Sequence, residues 1–195
     1  MTFMLSCTTK NYRDLSNDDI MTKTFSAIEI NDLLTIQNFF DKSIGLTEYR
    51  NQKDLINAYT DFFKLNSNIG KVTDLKVPID FKEQKDLYNQ LDKRTFDDIW
   101  LIGSSTKMDL NDTLKNIELN RHGKYMEFLK LFGKQNSVID KYYNTLHVAG
   151  DISPSMVADL VINQNSYDIK DPKIRLIIAI HYLTLNDRFK RNGKY

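Results

Sequence analysis

The side chains best suited to acid–base or metal chemistry near neutral pH are three histidines, His122, His147 and His181, and each stands alone. No HExxH or His-x-His spacing accompanies them, and the single cysteine, Cys7, excludes a thiolate-rich zinc site. His181 sits within an apolar run and reads as a core histidine, while His122-Gly123 reads as a turn or helix junction. Carboxylates such as Glu83, Asp97 and Asp98 could pair in space as acid and base. A chain with 26 acidic residues offers many such pairs, however, and most are solvated surface. Neither a GxSxG elbow nor the glycine patterns of phosphate-cradling loops occur, and the seven glycines are scattered. The residue types therefore call for no metal and no cofactor.

Two segments are better placed for contact with a partner. Gly150 to Ser155 gathers Asp151, Ser153 and Ser155 between two apolar helices, as a binding loop or a helix-start anion site would; a well-capped helix–helix turn has the same composition. The second is the basic C-terminal end, with Arg188, Lys190 and Arg191 beside Phe189. It is suited to an acidic partner, or equally to complementing the negative end of a helix dipole. Across the whole chain 27 basic residues nearly cancel 26 acidic ones, for a net charge of +1, so no global charge favours nucleic acid.

The elements that must position these residues are helical in their spacing. Ser16, Asp18 and Asp19 form a helix start whose helix is expected to reach about Ile28, with Asn31 capping the next. Leu33, Leu34, Ile36, Phe39, Phe40 and Ile44 then share one face, closed by Gly45. Leu55 to Leu65 repeats the pattern, and Pro78 marks an irregular connection before Asp80 restarts a helix. Phe96, Ile99 and Trp100 predict a short helix ending near Gly103, with Trp100 as a core anchor. After a polar stretch to Asp109, Leu110, Leu114 and Ile117 are read as another helix, followed by helices closed at Gly133 and Gly150. Ser153-Pro154 and Asp171-Pro172 each place a capping side chain before a proline at the first helical position. The last helix, from Pro172 to about Lys190, is apolar on nearly all sides in its first half, as a buried central helix must be.

Met4-Leu5-Ser6-Cys7 resembles the lipobox of bacterial lipoproteins, in which a small residue precedes a cysteine that becomes lipidated and forms the mature N-terminus. The resemblance covers four residues, with a polar stretch from Thr8 to Asp14 as a tether. The apolar run ahead of Cys7 is shorter than the ~7–15 residues of an export signal, so the signal as it stands is truncated, and a start codon upstream of Met1 would complete it. It implies lipidation at Cys7 and attachment to a membrane by lipid alone, facing the periplasm or the cell surface.

These readings predict an all-α, single-domain bundle of about seven to nine helices over 16–195, its apolar C-terminal helix near the centre, preceded by a signal and tether over 1–15. The function expected is a non-catalytic binding module for a protein partner, such as an immunity- or inhibitor-like lipoprotein. The alternatives are an enzyme whose site is assembled from distant residues in an inter-helix pocket, and a cytoplasmic helical binding or regulatory protein.

Overall fold

A computed structural model describes residues 15–48, 51–67, 76–107 and 112–191. Among these, the chain is an all-α bundle of nine helices carrying one two-stranded antiparallel hairpin. The order is α1 (Asp19–Thr24), α2 (Ala27–Ser43), α3 (Gln52–Leu65), α4 (Phe81–Gln90), α5 (Lys93–Ile99), β1 (Trp100–Lys107), β2 (Asp112–Leu119), α6 (Lys124–Gly133), α7 (Ser137–Ala149), α8 (Pro154–Ile162) and α9 (Pro172–Lys190). Cys7 lies outside the described residues. Leu15, assigned to the tether by sequence, is fully buried and already belongs to the core. Among the described residues no helix is long and apolar enough to cross a membrane.

α9 is the axis of the bundle, as its composition requires: every residue from Lys173 to Asp187 is buried. Asp171 caps it by accepting from the Lys173 N–H at 2.8 Å, with Pro172 at the first helical position. Tyr182 stacks on Phe40 of α2 and meets Phe62 of α3 edge-on, with centroids 6.1 and 4.7 Å apart. The polar residues of so buried a helix need partners, and neighbouring elements supply them. Arg175, fully buried, donates to the Ile169 and Lys170 carbonyls at 2.8 and 3.2 Å. Asn186 donates to Gln84 Oε1 of α4 at 2.7 Å, and Gln84 Nε2 donates to the Leu183 carbonyl at 2.8 Å.

Two sequence expectations are corrected. The first helix stops at Thr24 instead of running to Ile28, and Asn31 lies within α2. Ser26 and Glu29 form a reciprocal capping box, which starts a new helix four residues before the expected cap. The second correction concerns 100–119, read as the end of one helix, a polar connection and another helix. Instead β1 and β2 pair from Trp100↔Leu119 to Lys107↔Asp112. The missed signal is the period-two alternation of Asn116, Ile117, Glu118 and Leu119, in which Ile117 and Leu119 are buried and Glu118 is exposed.

Candidate functional site

Where α4, α5, β1 and the end of α9 meet, a groove of about 860 Å³ opens to the surface. Its floor is built from aromatics. Tyr88 of α4 and Phe96 of α5 lie 5.2 Å apart, and each packs on Trp100, at 5.1 and 5.4 Å. Trp100 is fully buried where α5 turns into β1, and its indole N–H donates to Thr184 Oγ1 of α9 at 2.8 Å. That hydrogen bond ties the groove's floor to the central helix. Leu91, Leu101 and Ile102 complete the apolar lining, and the adjacent Leu101 and Ile102 are 47 % and 48 % exposed.

Three cations rim the groove, Lys85, Lys93 and Arg191, against one carboxylate, Asp97. Lys93 and Asp97 form an exposed ion pair one helical turn apart. Lys85 Nζ lies 5.1 Å from the centroid of the Phe81 ring. Arg191 holds Asp187 with both arms of its guanidinium, Nε to Oδ1 at 2.5 Å and Nη2 to Oδ2 at 2.7 Å. Asp187 is fully buried, and burial pushes its carboxyl upward against the opposing pull of Arg191. Burial likewise drives the Tyr88 phenol well above its ordinary range, so it stays neutral.

The residues singled out from sequence divide between two places. Arg191 lines the groove, and Lys190 is exposed beside it on the last turn of α9. Asp151 and Arg188 meet in an ion pair, with Arg188 also donating to the Ile117 carbonyl at 3.2 Å and the Ile152 carbonyl at 3.4 Å. One arginine thus joins the 150–155 loop, β2 and α9. Gly150 turns the chain at φ 79°, and a Cβ there would meet the Arg121 guanidinium, which donates to the Gly150 carbonyl at 3.0 Å. Ser153 makes no capping hydrogen bond; its hydroxyl pairs with that of Ser155 at 2.8 Å. The loop is therefore organised chiefly by contacts within the protein.

The histidines lie apart from the groove. His181 is fully buried, its Nδ1 3.0 Å from Tyr142 Oη, and burial first and the Arg188 cation second hold its pKa down to about 3. His147 stacks on Tyr143 on the exposed side of α7, and His122 lies in the turn before α6. Among the described residues no three His, Cys, Asp or Glu side chains are grouped as a metal site requires.

Sequence reasoning missed Lys85, Tyr88, Lys93, Leu101 and Ile102 as surface features. In the sequence Phe96 marks only a short helix, and only the hairpin brings the 101–102 pair to the groove. No family model matches this chain, and no curated protein and no solved structure matches it either.

Proposed function

We propose that the protein is a non-catalytic binding module that holds a protein partner through the groove between α4, α5, β1 and the end of α9. The observation that carries the reading is the pair of half-exposed aliphatic side chains, Leu101 and Ile102, above an aromatic floor and inside a rim of three cations. An apolar centre with a polar, charged rim is the anatomy of a protein-binding patch.

Cys7 behind its lipobox-like residues supports a module carried on a membrane by lipid and facing the periplasm or cell surface, where an immunity- or inhibitor-like role against a toxin or hydrolase would be exercised. Intact mass of the protein made from its own locus in its native host tests the anchor: a mature N-terminus at an acylated Cys7 is expected, replaced under globomycin by the uncleaved precursor, and an unmodified Met1 start refutes it. A photo-cross-linking residue at position 102, compared with one at the exposed Ile162 on α8, tests the groove. A defined protein adduct at 102, absent at 162 and lost with Leu101→Asp, is expected. Equal labelling at the two positions refutes the groove as the binding surface.

A further inference from the structure

The two edges of the hairpin are treated differently by the rest of the fold. On β2, the Ile117 carbonyl accepts from Arg188 and therefore points away from β1. Ile117 stands opposite Ile102. Directly opposed residues in an antiparallel ladder either exchange both hydrogen bonds or neither, so Ile102 also directs its N–H and C=O away from its partner strand. The start of the ladder has the same parity. Asn120 N–H donates to the Ile99 carbonyl at 2.9 Å, so residues 99, 101 and 103 face β2 while 102 and 104 face outward. Trp100, the other outward residue, has its N–H returned to the Phe96 carbonyl of α5. Among the described residues no hydrogen bond reaches the outward backbone groups of Ile102 or Ser104.

That open edge and the groove coincide. Consecutive residues of a strand point to opposite faces, and both Leu101 and Ile102 line the groove, so the groove follows the edge of β1 instead of lying on one face. Exposed strand edges are ordinarily blunted by charge, proline or a bulge. Trp100-Leu101-Ile102-Gly103-Ser104 carries no charge and no proline, and β1 pairs through it without a bulge.

We propose that this edge of β1 receives an extended strand of a partner protein, whose alternate apolar side chains enter the groove while its carboxylates face Lys85, Lys93 and Arg191. The proposal deepens the binding-module reading and rests on it. The backbone hydrogen bonds would come from Ile102 and Ser104, and the specificity from the groove, as in other strand-addition complexes. Charge selects the occupant. Lys93 and Arg191 are already paired with Asp97 and the buried Asp187, so the surplus charge of the lining is the Lys85 ammonium; a second copy of this chain would set that cation against its like, whereas an acidic strand is complementary.

The test uses the full chain, isotopically labelled, titrated with a synthetic ten-residue peptide that alternates valine and glutamate. Binding is expected to shift the Ile102 and Ser104 amides. N-methylation along the peptide's pairing edge, which removes its backbone donors, is expected to weaken binding about tenfold or more, with methylation of the other edge neutral. A lysine-for-glutamate peptide is expected not to bind. Ile102→Pro removes the outward N–H while leaving the ladder to β2 intact, and is expected to bind the peptide more weakly than Ile102→Ala, which keeps that N–H. Equal binding of both N-methylated peptides, or self-association of the chain through β1, overturns strand addition. A helical peptide of the same composition filling the groove also overturns it, yet leaves the groove as a binding surface. Absence of peptide binding overturns strand addition alone, because cross-linking from position 102 judges the groove independently.

Discussion

Thr184→Val removes one oxygen from the centre of the bundle and tests how the groove's floor is held. Thr184 Oγ1 accepts from the Trp100 indole N–H at 2.8 Å and donates to the Ile180 carbonyl at 2.7 Å, and both side chains are fully buried. Valine nearly preserves the shape, so little cavity opens. The Ile180 carbonyl lies in the interior of α9 and keeps its helical hydrogen bond, but the indole N–H loses its partner among packed rings. An orphaned buried donor costs about 1–3 kcal/mol. For a chain of this size that lowers Tm by about 2–12 °C. Trp100 is the only tryptophan, so its fluorescence follows denaturant unfolding directly at the altered contact. Thr184→Ser retains the hydroxyl and is expected to keep the indole bond, losing only the methyl contribution. A double-mutant cycle with Trp100→Phe, followed by circular dichroism, is expected to return a coupling of about 1–2 kcal/mol. A Thr184→Val loss below about 0.5 kcal/mol together with zero coupling would refute the reasoning, because the Trp100–Thr184 bond would then hold nothing.

Three further outcomes are expected. Desolvation raises the Glu29 carboxyl, but hydrogen bonds from Lys124 and from Ser26 at 2.6 Å outweigh it and hold the pKa down to about 2 from 4.5. Its stabilisation is therefore complete above pH 4.5 and is lost as pH falls toward 2. Glu29→Gln should flatten that acid limb in urea titrations and lower stability at neutral pH by roughly 1–2 kcal/mol, Lys124 being partly solvated. His181 behaves as a buried neutral base: the unfolded chain takes up a proton below pH 6.5 that the folded chain refuses until about pH 3, so stability falls across that interval. His181→Phe abolishes this slope, and the stability gap between parent and variant should shift by about 2 kcal/mol in favour of the variant from pH 7 to pH 5; an unchanged gap would count against a buried neutral imidazole. Arg188→Ala removes the ion pair to Asp151 and two carbonyl contacts and should cost about 1–3 kcal/mol, with faster amide exchange in β2 and Arg188→Lys intermediate, since an ammonium cannot span all three acceptors.

Much of the architecture was legible because local chemistry writes it into the chain. The apolar run after Asp171-Pro172 announces a buried central helix, Gly150 announces a left-handed cap, and the i, i+3, i+4 spacing in α2, α3 and α4 announces amphipathic faces. Each signal lies within a few residues of its effect. Gln84 lies past the boundary of such reading: only the packing of α4 against α9 supplies the Leu183 and Asn186 partners that permit a buried amide there.

The hairpin and the groove were not legible, for a different reason. Leu110, Leu114 and Ile117 fit a helix by spacing, and no local energy decides against it. The decision belongs to residues 100–107, which pair with 112–119, and to Arg188, which reaches from α9 to the Ile117 carbonyl. Asp151 and Arg188 were both legible as charged residues in special positions, but their ion pair spans 37 positions in sequence and exists only once α9 is docked. Composition and periodicity alone determined an all-α bundle, its central helix and a few of its caps, among them Asp80, Asp171 and Gly150, since burial and capping depend on each residue's own chemistry and near neighbours. Tertiary structure decided the strand pairing and, with it, which edge lies open and which aliphatic side chains border a cationic rim, because those depend on contacts between residues far apart in the chain.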